Sequence, residues 1–312
     1  MNHEAKLLLG IVAGFLAAGS ITGAILKSRV TGDAGRKVVE NLVSRVNAWW
    51  IMCAVFGGAL MIGPVATVVM FALTSFLALR EFITLTPTRR GDHRALFWAF
   101  FIITPLHYWT LATEWYGLFV ILIPVYAFLF IPMRNALAGD TERFLERTAK
   151  IQWGLMVAVY FASHAPALLI LRIPGYEGRG ALLLFFLVFV VQVSDVFQYV
   201  WGKLCGRTKL APHVSPSKTV EGLVGGGLSA CVAGAAIWWA TPFTLVQAAG
   251  MSAVIVLMGF FGGLVMSAVK RDRGVKDYGD IIPGHGGVFD RIDSLCFAAP
   301  VFFHIVRWCF EA

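Results

Sequence analysis

Residues 7–26 read LLLGIVAGFLAAGSITGAIL, an uninterrupted run without a charge. At about 1.5 Å per residue, such a helix is as long as a bilayer's hydrocarbon core is thick, about 30 Å. No small-residue cleavage site ahead of a soluble domain follows it, so the run reads as a retained membrane helix and not a signal peptide. Comparable apolar stretches recur at 48–62, 65–85, 95–111, 115–132, 151–171, 181–201, 222–240, 245–268 and 293–310. The pattern predicts an all-α, polytopic integral membrane protein with about ten transmembrane helices. The count falls to nine if the short 48–62 stretch before Gly63-Pro64 is a half-crossing or an interfacial helix.

Composition points the same way. The 312 residues are 58% hydrophobic and 14% charged, whereas soluble domains are about 45–50% apolar and about 25% charged. Ten crossings leave roughly 110 residues for connections, which excludes a large extramembrane domain and puts any chemistry in loops or at helix ends. The five cysteines, Cys53, Cys205, Cys231, Cys296 and Cys309, are odd in number and lack C-x-x-C spacing, so neither a disulfide framework nor a zinc ribbon is indicated.

The net charge of +8 could suit nucleic acid, but here position decides. Of 26 Lys and Arg, five fall in 27–47, four in 80–94, four in 133–150, four in 202–221 and five in 270–292; only Lys6, Arg172, Arg179 and Arg307 fall on the other side. Such a split predicts that the five basic connections face the cytoplasm from an inner (cytoplasmic) membrane, with both termini outside. For Arg29, Arg36, Lys37, Arg89, Arg90 and Arg94 this topological reading suffices. Segment 133–150, with acids and bases interleaved at helical spacing, reads as a short interfacial helix. The chain divides into an N-terminal multispan region, 1–150, with cytoplasmic basic loops, and a C-terminal region, 151–312, that carries two unusual polar loops.

The first of these, GKLCGRTKLAPHVSPSKTVE (202–221), offers Lys203, Arg207, Lys209 and Lys218 among glycines and hydroxyls, a mixture suited to several phosphate oxygens at once. The second, KRDRGVKDYGDIIPGHGGVFDRI (270–292), mixes Lys270, Arg271, Lys276 and Arg291 with Asp272, Asp277, Asp280 and Asp290, and Asp293 follows it. Carboxylates interspersed with phosphate-binding cations are what Mg²⁺ bridging between protein and polyphosphate requires. Two spans separate the loops, so both open on one face and can share a site.

These residues resemble the CDP-diacylglycerol synthase (phosphatidate cytidylyltransferase) family. Its C-terminal signature is similar to Ser267-Ala-Val269-Lys270-Arg271, Lys276-Asp277, Gly279, Ile282-Pro283, His285-Gly286-Gly287-Val288 and Asp290-Arg291-Ile292-Asp293 at every constrained position. The upstream element, Ser194-Asp195, Gly202, Gly206, Lys209-Leu210-Ala211-Pro212, Ser215-Pro216, Lys218-Thr219 and Glu221-Gly222, looks like the family's as well. The resemblance implies a Mg²⁺-dependent reaction in which CTP and phosphatidate give CDP-diacylglycerol and pyrophosphate. The partners are then CTP, phosphatidate or another lipid phosphate, and membrane lipids, with no nucleic acid and with a homodimer left open.

On this reading Lys218, Asp277 and Asp290 are catalytic. Asp290 binds metal, with Asp277, Asp293 and Asp195 as further candidate ligands. Lys218, Lys270, Arg271, Lys276 and Arg291 bind phosphates, and Ser215, Ser267 and the Gly286-Gly287 backbone donate hydrogen bonds to them. His285 either contacts phosphate or braces its loop. Asp290 is expected to face solvent from a polar loop.

Two departures stand out. The family usually carries G-D-L-x-E-S where this chain has Gly262-Gly263-Leu264-Val265-Met266-Ser267, and S-D-T-G-A-Y where it has Ser194-Asp195-Val196-Phe197-Gln198-Tyr199. The first removes up to two acids beside Lys270 and Arg271; the second puts large side chains where small ones allow close approach. They raise the alternatives of CMP transfer to a different lipid phosphate and of a non-catalytic relative. A lipid transporter is a third alternative, but transporters place ionisable groups at mid-membrane and show repeat symmetry, whereas here the charges cluster at one face.

Overall fold

The computed structural model describes residues 3–30, 32–282, 284 and 286–311. Ten helices run in chain order: α1 (His3–Arg29), α2 (Asp33–Ile62), α3 (Pro64–Thr84), α4 (Arg90–Ala112), α5 (Tyr116–Ala136), α6 (Phe144–Ile170), α7 (Gly180–Leu204), α8 (Val220–Ala236), α9 (Leu245–Asp272) and α10 (Phe289–Phe310). Among the described residues, nine of these, all but α8, are long and apolar enough to cross a membrane. The protein is an all-α, multi-pass membrane protein.

The doubtful pair around Gly63-Pro64 resolves into two full-length helices. α2 starts at Asp33, well before the apolar stretch, because its first turns carry the polar residues of a helix that emerges from the bilayer. Pro64 then opens α3, where its missing N–H costs nothing. α8 is shorter than expected: at 17 residues it covers about 25 Å, and a 3₁₀ turn at Trp238–Ala240 follows it. The interfacial helix expected at 133–150 does not form. The segment holds the end of α5, a turn after Ala136, and the start of α6, whose Arg147 is buried against Asp92 and Asp140 at 3.1 and 2.7 Å. Its charges serve an ion network between helix ends.

α7, α8, α9 and α10 pack sequentially against one another, and α3 and α6 close on α10 from the other side. The approach of α7 to α8 is close enough that a Cβ on Gly226 would lie 2.4 Å from the backbone N of Gln198. Between α7 and α8 the chain makes a small antiparallel hairpin, β1 (Lys209–Ala211) with β2 (Ser215–Thr219), in which Lys209 pairs with Thr219. Its exit is fixed twice. Thr219 caps α8 by accepting the Gly222 N–H at 3.0 Å, and Glu221 accepts the N–H groups of Arg207 and Thr208, each at 3.1 Å.

Candidate functional site

Lys218 leaves β2 and turns inward between α7, α9 and α10. Its ammonium lies 4.3 Å from the Phe260 ring centroid and donates to the Phe260 carbonyl at 3.4 Å. Burial pulls its pKa below the usual lysine value, and Lys270 adds to that, while the charges of Asp195 and Asp293 act the other way. Asp195 in turn feels Asp293, Lys218 and Arg291 and accepts a hydrogen bond from Ser294. The Ser294 N–H also donates to Asp293 Oδ1 at 2.7 Å, so Ser294 stands between the two carboxylates. The resulting cluster, contributed by three helices and the hairpin, sets two acids within electrostatic reach of a partly buried ammonium.

Beside it lies a second, tighter arrangement. Lys270, at the end of α9, donates to Asp290 Oδ1 at 2.7 Å and sits 4.0 Å from Asp293. The other oxygen of Asp290 accepts the N–H groups of Tyr278 at 2.7 Å and Gly287 at 3.0 Å. Asp290 is 6% exposed and Lys270 9%. The expectation that Asp290 faces solvent from a loop is therefore wrong: α10 begins at Phe289, and the carboxylate points inward as a brace for Tyr278 and Gly287. Tyr278 completes the brace, with its hydroxyl on the Met266 carbonyl at 3.1 Å. Burial and the adjacent Asp293 and Asp290 charges hold its phenol pKa well above the usual value.

The remaining predicted residues divide. Arg291 joins the Asp195–Asp293 cluster. Asp277 is exposed, but it lies against Gly286 on the side where Asp290 approaches: a Cβ on Gly286 would be 3.2 Å from the Asp277 Cβ and 3.0 Å from Asp290 Oδ2. Lys276 and Arg271 are exposed, Arg271 donating to the Val275 carbonyl at 2.9 Å. Ser215 is buried in β2, and Ser267 donates to the Gly263 carbonyl one turn back at 2.6 Å. His285 lies outside the described residues.

Sequence reasoning passed over Glu81. From the end of α3 its carboxylate accepts the N–H groups of Val288 at 2.9 Å and Phe289 at 2.8 Å, capping α10 with negative charge. It also lies against the glycines of the second loop: a Cβ on Gly287 would fall 2.4 Å from Glu81 Oε2, and one on Gly279 2.9 Å from Oε1. The signal was present, since Glu81 is an acid at the end of an otherwise apolar span and such an acid needs a partner. Nothing in the sequence said where that partner was.

For a divalent cation the donor set matters more than the number of acids nearby. Among the described residues no group of three or more His, Cys, Asp or Glu side chains converges as a ready-made metal cage. Mg²⁺ does not need one, because one or two carboxylates plus substrate phosphates and waters are its usual ligands. Asp290 already holds three protein donors, whereas Asp195 and Asp293 both bond Ser294 and both act electrostatically on Lys218. That pair fits a hard cation shared with phosphate oxygens.

Residues 43–309 match the cytidylyltransferase family. The uncharacterized protein YnbB of Escherichia coli K12 is 42% identical over 266 residues, covering 85% of this chain and 87% of that protein. A phosphatidate cytidylyltransferase of Staphylococcus aureus (strain COL) is 39% identical over 127 residues, 40% of this chain and 48% of that one. One from Synechocystis sp. is 42% identical over 120 residues, 37% and 40% of the two chains. The match thus covers less than half the length of each of these two synthases.

Proposed function

The chain belongs to the cytidylyltransferase family, and from that premise we propose that it transfers CMP from CTP to a membrane lipid phosphate, releasing pyrophosphate, with phosphatidate as the principal acceptor. The observation that carries this reading is the meeting of Lys218 with Asp195, Asp293 and Lys270, which joins both polar loops in one cluster of mixed charge.

The chemistry asks little of a base. A lipid phosphate is already an anionic nucleophile, and the barrier lies in bringing it to the α-phosphorus of another anion and stabilising the departing pyrophosphate. Lys218 and Arg291 are placed to bind phosphate oxygens at the cluster, and exposed Arg271 and Lys276 to hold the outer phosphates of CTP. Asp195 and Asp293 would hold Mg²⁺, which supplies charge neutralisation across the phosphates. Asp290 and Lys270 keep the second loop in position. The basic connections on this side support a cytoplasmic orientation of the site in an inner membrane.

A panel of lipid phosphates tests the acceptor. Purified protein with labelled CTP and Mg²⁺ should convert phosphatidate faster than isoprenoid or single-chain lipid phosphates. The second reading, transfer to a different lipid phosphate, is favoured by Phe197 and Gln198 beside Asp195; faster conversion of another panel member would establish it.

A further inference from the structure

Two buried histidines stand apart from the cluster at the polar loops. His107 of α4 and His164 of α6 are fully buried, and each has one ring nitrogen, His107 Nδ1 and His164 Nε2, without a hydrogen-bond partner among the described residues. A buried imidazole without a counter-charge is neutral, and the second nitrogen of each ring fixes its tautomer. His164 Nδ1 lies 2.7 Å from the Tyr160 carbonyl, which can only accept, so Nδ1 carries the proton and Nε2 a bare lone pair. The Ser163 hydroxyl donates to the same carbonyl at 2.7 Å and accepts from His107 Nε2 at 2.8 Å. Tyr160 lies in a π-helical stretch of α6, Leu155–Phe161, a geometry that recurs at functional sites. An imidazole whose Nδ1–H is held by a backbone carbonyl is oriented as metal-binding histidines are, with Nε2 as the ligand.

The ring of His304 on α10 lies 5.2 Å from that of His164, centroid to centroid, and is tilted against it by 55°. With metal–nitrogen bonds of about 2.0–2.1 Å, two imidazoles at a tetrahedral angle have centroids roughly 5 Å apart. Among the described residues no group of three or more His, Cys, Asp or Glu side chains forms here, so water or another donor fills the remaining positions of a bound ion. Arg307, one turn further along α10, brings no free charge: it pairs with Glu311 at 2.6 Å and lies 3.1 Å over the Tyr116 ring. His304 is exposed, eleven residues beyond Asp293 on α10, or roughly 17 Å along the axis. Exposed Trp109, Trp115 and Trp308 lie at the same end of α4, α5 and α10, as aromatic side chains do where a membrane meets water.

We propose that His164 and His304 bind a borderline transition-metal cation, Zn²⁺ or one like it, at the end of the helix bundle away from the polar loops. Such ions take imidazole nitrogen, whereas Mg²⁺ takes oxygen, so this site and the carboxylates beside Lys218 select different metals. A bound ion ties α6 to α10. The site stands whether or not the chain transfers CMP.

Equilibrium dialysis of tag-free protein in detergent against Zn²⁺ tests the assignment, with excess Mg²⁺ throughout to occupy oxygen-donor sites. The wild-type chain should retain one more Zn²⁺ than His304→Gln, and His164→Gln should match His304→Gln, since loss of either ligand weakens binding by at least about tenfold. His304 is exposed, so its replacement spares the packed core. Co²⁺ in place of Zn²⁺ should give visible ligand-field bands that Mg²⁺ does not remove and that His304→Gln lacks. In the unaltered protein, Zn²⁺ at ten times its Kd should slow carbethoxylation of His304 by diethyl pyrocarbonate, mapped by mass spectrometry, about tenfold, and Mg²⁺ should leave the rate within about twofold. Equal Zn²⁺ in wild type and His304→Gln, full retention by His164→Gln, or no protection of His304 overturns the proposal; the lone pair of His164 then meets only water.

Discussion

The carboxylate of Glu81 accepts the backbone N–H of Phe289 at 2.8 Å across 208 residues of sequence, so a helix of the N-terminal half fixes where the last helix begins. Because the same carboxylate caps Val288, Glu81→Ala frees two buried donors at once. Hydrogen bonds to charged groups contribute roughly 1.5–3 kcal/mol each, and partial compensation by water leaves an expected loss of about 2–4 kcal/mol in unfolding free energy. Glu81→Gln, which keeps an acceptor oxygen, should lose less than half of that. Gly287→Ala should mimic Glu81→Ala, since its Cβ would sit 2.4 Å from Glu81 Oε2. Thermal unfolding of the three variants in one detergent checks the order.

Asp290→Asn should both unfold the protein more readily and stop turnover. Lys270 would be left buried with its strongest partner neutralised, and breaking a buried pair in this way costs about 3–5 kcal/mol. Lys270→Met with Asp290→Asn should recover part of that stability without recovering activity. Recovery of both would show that the pair has no bearing on the reaction.

Gly263 offers a gain instead of a loss. A Cβ there would lie 3.3 Å from Lys218 Nζ and 3.3 Å from Ser294 Oγ, with no backbone in the way, so shifts of a few tenths of an ångström admit it. Gly263→Asp would add a carboxylate next to Asp195, Asp293 and Lys218 and should lower the Mg²⁺ concentration for half-maximal activity severalfold. A well-folded variant with unchanged Mg²⁺ dependence would mean that no metal approaches this face of α9.

Orientation can be read from cysteines. Cys205 follows α7 at the entrance to the hairpin, and Cys309 lies in the last turn of α10, at the end away from the second loop; both are exposed. In intact cells an impermeant maleimide should modify Cys309 and spare Cys205, and also spare a cysteine introduced by Asp280→Cys. Modification of one loop position and not the other would separate the two loops.

The succession of membrane helices and the shared face of the two loops were legible in the sequence because membrane burial and charge placement are local properties of each segment, although the short helix proved to be α8 and not the 48–62 stretch. The boundary of α2 was not, since its polar first turns look like loop until they are seen continuing a helix. The direction of Asp290 was hidden for a related reason: the second loop reads as solvent-facing by composition, yet Tyr278, Gly287 and Lys270 fold it around that carboxylate. Glu81 was the hardest to see, because its partners are backbone amides, which leave no mark in a sequence.

The most direct test of the reaction is the fate of two labels in CTP. With phosphatidate and Mg²⁺, label in the α-phosphate should appear in lipid and label in the γ-phosphate in pyrophosphate, in equal amounts. Lys218→Ala should reduce both together. Label from the γ-phosphate in lipid, or a folded protein that forms no labelled lipid from any lipid phosphate, would contradict CMP transfer.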